Sequence, residues 1–328
     1  MKQARVFSGI QPTGAIHIGN YVGAVRNWVR MTERFECFYC IVDLHAITIP
    51  YEGPEMPVRV YEAALDILAA GLDPEKCVFF VQSYVPEHTE LCWYFNTLAS
   101  VGALERMTQF KEKSEQFREN VNVGLFDYPV LQAADILLYK AGVVPVGEDQ
   151  LQHLELSREI ARRFNGRFGD TFPEPKPELT PAARVMALNE PTRKMSKSLT
   201  GSFISLSESE KEIRKRIGRA VTDSGPQAEG EKSPGVKNLF TLLAAFAPAE
   251  TVEYFEQQYQ AGTLRYGELK PAVADAVVAE LNPIRERREQ LAGKPGDVWE
   301  VLDAGAARAR AVAAQTIVEV RERMGLRR

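Results

Sequence analysis

The chain has 328 residues, more than one hydrophobic core normally organises, so two domains of unequal size are expected. Hydrophobic residues make up 45% and charged residues 26%, the usage of a soluble globular protein, and a net charge of −4 argues against a protein that coats nucleic acid non-specifically while leaving room for a local basic surface. The apolar runs are short, "AALDILAAGL" being broken by Asp66, and "MKQAR" runs straight into a strand pattern with no apolar leader, so a cytoplasmic protein without membrane association is expected.

In chain order, "ARVFSGI" reads as a strand, the glycine-punctuated "PTGAIHIGNY" as a turn, and Ile18, Tyr21, Val22, Val25 and Val29 as one face of the helix that follows. The apolar "CFYCIVD", the amphipathic "PVRVYEAALDILAAG" and the strand "CVFFVQS" extend this to βαβαβ, the pattern of a doubly wound parallel sheet with helices on both faces. Cys37 and Cys40 have CxxC spacing, but residues three apart in a strand point to opposite faces, so structural thiols are favoured over metal ligands. Four cysteines are too few for a disulfide framework. Between about Leu104 and Leu125 the pattern degrades, which predicts either a mobile insertion or a pair of surface helices. A helix "YPVLQAADILLYKAG", a strand "VVPVG" expected to rejoin the sheet, and a helix "EDQLQHLELSREIARRF" come next. The proline-rich "DTFPEPKPELTPAAR" reads as a connecting loop, and from about Ser207 onward every periodic segment is helical.

Two features carry chemistry. A glycine turn and Gly19 at the start of a helix leave room for a phosphate at the helix N-terminus, with His17 as a donor, although a plain βα connection with a polar first-turn histidine has the same pattern. The second is "KMSKS", Lys194 to Ser198, a pentapeptide expected by chance on the order of once in ten thousand chains of this length. Two lysines and two hydroxyls on a loop suit a triphosphate whose charge moves onto leaving pyrophosphate.

With "FSGIQPTGAIHIGNY", "CIVDLHAIT", "ERMTQFKEKS", "YPVLQAADILLY", "VPVGEDQLQHLELSREIARRFN" and "KMSKS" in this order, nearly the whole chain resembles the class I aminoacyl-tRNA synthetases, and among them the bacterial tryptophanyl branch. The resemblance implies a Rossmann-like α/β catalytic domain over residues 1–200 and a C-terminal all-helical, anticodon-binding domain over 201–328, whose last helix, about 296–324, returns to the first. It places His17, Asn20, Lys113, Lys194 and Lys197 at catalytic positions. ATP would be bound by Gln11, Pro12, Thr13, Gly19, Asn20, Gly147, Glu148, Asp149, Val185 and the loop Lys194, Met195, Ser196, Lys197 and Ser198. Tryptophan would be bound by Asp135, the acceptor of the indole N–H, with Phe7, His45, Tyr128, Gln132, Val144, Val146 and Gln150. Gln132 stands where some members carry Met, and Asn20 stands where the wider class has a second His.

What the resemblance implies as activity is joining of L-tryptophan to the α-phosphate of ATP, with Mg2+ riding on the phosphates rather than in a protein site, then transfer to the terminal ribose of tRNA(Trp) by a homodimer. The clusters "KEIRKRIGR", from Lys211 to Arg219, and "RERR", from Arg285 to Arg288, are either tRNA phosphate contacts or solvated helix faces. A small-molecule nucleotidyltransferase and a catalytically silent relative that senses tryptophan or binds RNA are the alternatives from other classes.

Overall fold

The computed structural model describes residues 4–116, 119, 121–179, 185–196, 201–222 and 231–326. Five parallel strands, β1 (Arg5–Ile10), β2 (Glu36–Ile41), β3 (Cys77–Val81), β4 (Val143–Val146) and β5 (Lys176–Leu179), form one sheet in the order β3-β2-β1-β4-β5. The sheet is Rossmann-like, and "VVPVG" rejoins it beside β1.

Burial on both faces explains the near-continuous apolar composition of the central strands. Cys37, Tyr39, Ile41, Cys77, Phe79 and Val81 point into one packed cluster and Phe38, Cys40, Val78 and Phe80 into the other. The period of two therefore sends Cys37 and Cys40 to opposite faces. The helix Met56–Ala69 covers the first face, and the helices Val123–Leu138 and Leu151–Phe168 cover the second.

One stretch differs from what the pattern predicts. "KPEL", taken as connecting loop, is an edge strand, where Pro177 is tolerated because no further strand needs its missing N–H. In the segment from Leu104 to Leu125 the described residues include one helix, Thr108–Gln116, which follows the short helix Val101–Glu105.

The long helices Tyr266–Ala292 and Pro295–Arg323 draw the second half of the chain against the sheet. Val298 and Leu302 join the first cluster while Ala306, Ala309, Ala313, Ile317 and Val320 join the second, so the last helix crosses the sheet at its β3 edge. Arg308 donates to the Cys77 carbonyl at 3.0 Å. An edge strand left bare invites pairing with another chain, and here a helix closes it. Gly305 makes the approach possible, because a Cβ there would lie 1.7 Å from the Phe79 carbonyl oxygen.

Gly305→Ala should therefore lower the unfolding free energy by about 1–3 kcal/mol in urea titrations, by overpacking. Gly166→Ala, in a helix where an added methyl meets nothing within 4 Å, serves as the contrast and should be neutral or stabilising by up to about 1 kcal/mol.

Candidate active site

In an open α/β sheet the strand order reverses at one point, and the crevice beyond the strand ends there is the natural ligand site. Here that point lies between β1 and β4, and a cavity of about 460 Å³ opens there. Its floor carries Phe7 from β1 with Val144 and Val146 from β4, all nearly or fully buried.

His17 ends the turn after β1 and caps the helix that begins at Ile18. Its Nδ1 accepts from Gly19 N–H at 3.1 Å and Asn20 N–H at 3.3 Å, so in the neutral ring the proton sits on Nε2, a donor. Asn20 closes the capping box by accepting from His17 N–H. A Cβ on Gly19 would lie 3.0 Å from the His17 ring, so the turn is tight enough to favour glycine. Straight after it, Tyr21–Val25 is a π-helical turn, a local widening often found at functional sites.

The second signature meets the first through the backbone. Ile18 N–H donates to Ile204 O and Leu206 N–H to Ile16 O, both at 2.9 Å. Ahead of the loop, Met195 N–H donates to Val185 O at 3.1 Å, Met195 is buried, and Ser202 Oγ donates to the Ser196 carbonyl. Lys194, Met195 and Val185 line the cavity. Lys197, Ser198 and the side chain of Lys113 lie outside the described residues.

At the other end of the cavity sits Asp135, 1% exposed. Gln82 Nε2 approaches its Oδ1 at 2.7 Å, His88 Nδ1 the same oxygen at 2.6 Å, and His45 Nε2 its Oδ2 at 2.7 Å. His88 Nε2 in turn meets the Tyr139 hydroxyl at 2.8 Å. Burial alone would raise the Asp135 carboxyl, but the imidazoles of His45 and His88 outweigh it and hold it at about 2. An ionised carboxylate only accepts, so all three neighbours donate, and of four lone-pair positions one remains on Oδ2. One further N–H donor can be received there.

Tyr128 packs beside this group, its hydroxyl 2.9 Å from His153 Nε2 and 3.2 Å from Gln109 Oε1. Gln132, one helical turn before Asp135, and Gln150 complete that wall. Gln11, Gly147 and Asp149 line the mouth. Four residues expected at the nucleotide do not line the cavity: Pro12 is buried behind the turn, Thr13 and Glu148 are exposed, and Ser196 faces Ser202 through its carbonyl. Those side chains are set by the turn and loop geometry rather than by the cavity.

Pattern reading passed over Gln82, His88 and Gln109. Gln82 had a signal, a polar residue straight after the buried run "CVFFV", and His88 is one of only four histidines, all of them buried. The basic clusters are largely spoken for. Arg214 pairs with Glu210 and Asp275, Lys215 with Glu212 and Arg216 with Glu208. Arg285 donates to the Glu208 carbonyl, Arg287 to the Ala69 carbonyl and Arg288 to Asp66, so "RERR" clamps the helices together.

A carboxyl held below the ordinary value of about 3.9 stabilises the fold above that pH, and this contribution is lost as pH falls toward about 2. Urea unfolding followed from pH 5 to 2 should therefore lose more stability in the wild type than in Asp135→Asn. Equal losses would show that the His45 and His88 bonds do not hold the carboxyl down.

The family described as tRNA synthetases class I (W and Y) matches residues 1–282. A tryptophan–tRNA ligase 2 from Streptomyces avermitilis is 47% identical over 98% of this chain and 96% of its own length, and a tryptophan–tRNA ligase from Caldanaerobacter subterraneus is 47% identical over 98% of both chains. A tryptophanyl-tRNA synthetase from Campylobacter jejuni, solved with ADP and tryptophan, superposes with a TM-score of 0.82 at 35% identity, covering 98% of this chain and 99% of that one. With a cavity at the sheet's switch point, two signature segments on one wall and near full-length likeness, the chain belongs to the class I tRNA synthetases of the tryptophan and tyrosine group.

Proposed function

We propose that this cavity activates L-tryptophan with ATP, giving tryptophanyl-adenylate and pyrophosphate, and that the chain then transfers tryptophan to the 3′-terminal ribose of tRNA(Trp). The single remaining acceptor position on Asp135 supports tryptophan as the amino acid. A buried carboxylate that receives one N–H forms a charge-assisted bond, and a substrate without that donor leaves it unpaired. Discrimination of this kind greatly exceeds what an added methylene achieves and needs no editing site. Phe7, Val144 and Val146 give the ring apolar surface, and His45, Tyr128, Gln132 and Gln150 complete its surroundings.

ATP lies toward the other end, its phosphates against His17 Nε2 and Gly19, with Gln11, Gly147, Asp149 and Val185 around the nucleoside. Mg2+ enters as part of the substrate, on the phosphate oxygens. The tryptophan carboxylate is ionised at neutral pH, so no general base is needed. The protein's work is in-line alignment and stabilisation of charge on departing pyrophosphate, where Lys194, Lys197 and Lys113 act. Asn20 acts through the capping box that orients His17.

The helical domain, 201–328, binds the tRNA anticodon, and the reaction belongs in the cytoplasm. Among the described residues no helix is long and apolar enough to cross a membrane. Homodimer formation has support in a second cavity of about 400 Å³, between the helices Glu87–Asn96 and Val123–Leu138. Trp93 is 71% and Val123 79% exposed on that side, surface a monomer would ordinarily cover.

Amino-acid-dependent ATP–pyrophosphate exchange tests the activity directly: tryptophan should support it and tyrosine should not. Exchange with tyrosine at comparable efficiency would move the site to the sister specificity, and none with any amino acid would remove the reading. An analogue carrying sulfur in place of the indole N–H probes Asp135 without disturbing Gln82, His88 or His45. It should lose roughly 1.5–3 kcal/mol in kcat/KM, the range for a hydrogen bond to a charged group, and parity with tryptophan would show that Asp135 does not read the ring nitrogen. Sedimentation of Trp93→Glu should give a monomer where the wild type gives a dimer, and an unchanged profile would place the interface elsewhere.

A further inference from the structure

Asp66 is fully buried in the helix Met56–Ala69, among apolar neighbours, and is not part of the cavity wall. Its Oδ2 accepts from Ile16 N–H at 2.9 Å, in the turn directly before His17. Its Oδ1 accepts from Arg288 Nε at 2.6 Å, and Arg288 Nη2 also donates to Glu62. Arg288 lies on the long helix Tyr266–Ala292 of the second half. Two turns earlier on that helix, Glu280 accepts from the Tyr21 hydroxyl at 2.5 Å. The other side of the turn is held by the segment after the Lys194–Ser198 loop, since the Ile16 carbonyl accepts from Leu206 N–H.

A buried ion pair is weak evidence for stability, because desolvating both charges offsets most of their attraction and well-packed apolar residues often do as well. Burial indeed pushes the Asp66 carboxyl up, against Arg288 and the Ile16 N–H, which pull it down. What an apolar pair could not do is accept the Ile16 N–H and tie it to Arg288, far along the chain on the helix Tyr266–Ala292. We propose that Asp66, anchored by Arg288, is a positioning residue for ATP activation: it holds the Ile16 amide so that His17 and Gly19 face the phosphates, and makes docking of the helix Tyr266–Ala292 a condition of that geometry. The inference rests on the adenylation reading above. Asp66 touches no reacting atom and acts through the backbone of the turn.

The test compares Asp66→Leu/Arg288→Met, which removes the acceptor and both charges, with Asp66→Asn/Arg288→Met, which removes the charges but keeps an oxygen for Ile16 N–H. Exchange kinetics, calorimetric ATP affinity and thermal unfolding are measured on each. The Leu/Met chain should unfold near the wild-type temperature and keep its tryptophan KM within about twofold, yet lose roughly tenfold or more in exchange rate and bind ATP roughly fivefold more weakly. The Asn/Met chain should recover most of both losses. A pair serving stability alone would shift the ATP and tryptophan parameters together, or neither, and Asn would not rescue; either result overturns the inference. If the Leu/Met chain does not fold, Arg288→Lys decides, since it keeps charge but not the two-pronged geometry: weaker ATP binding at constant tryptophan KM supports the inference and unchanged ATP binding overturns it. Absence of exchange in the wild type would remove the adenylation reading, while ATP affinity would still report on Asp66.

Discussion

Asp135 has almost no solvent around it, so the elements packed against it must supply its donors, and they come from three places in the chain. His45 follows β2, Gln82 follows β3, and His88 opens the helix Glu87–Asn96. Asp43 keeps the first two in step by accepting from Ser83 N–H at 3.0 Å. Because each donor sits at the carboxyl end of a strand or just beyond it, the carboxylate is satisfied only when β2, β3 and the helix Val123–Leu138 are in register. The same arrangement leaves one acceptor position on Oδ2.

The other end of the cavity is built on a different principle. There the backbone of Ile16 to Asn20 does the work, and the side chains around it serve to fix that backbone. The His17 ring spends one nitrogen on the helix start so that the other is presented as a donor. Behind it the helical half of the chain reaches in through Glu280 and Arg288, and the segment after the second signature pairs with it on the other side. One end of the cavity thus rests on side chains that converge on a single carboxylate, and the other on a backbone turn held from both sides.

The basic clusters of the second half pair partly within that half and partly with the first, Arg214 meeting Asp275 and Arg288 meeting Asp66. Among the described residues, Arg214, Arg216, Arg285, Arg287 and Arg288 each meet a carboxylate or a backbone carbonyl. Helical spacing places like charges side by side in sequence, and only packing brings carboxylates such as Asp275 and Glu208 up to them.

Unbroken apolar runs such as "CFYCI" and "CVFFV", set between helical patterns, were enough to show a parallel sheet buried on both faces, and the strand period of two separated Cys37 from Cys40. "HIGN" and "KMSKS" were legible because each is a contiguous stretch of specified residue types. The edge strand "KPEL" was not, since its pairing comes from β4 and its own composition is that of a loop. Nor were Gln82, His88 and the Asp66–Arg288 pair, whose partners lie 53, 47 and 222 residues away. Local sequence thus determined the inner strands, the helix starts and the two signature segments, because these obey short-range periodicity and capping. Tertiary structure alone decided which buried polar groups meet, because a carboxylate removed from water takes its donors by proximity in space, and spacing along the chain carries no record of that.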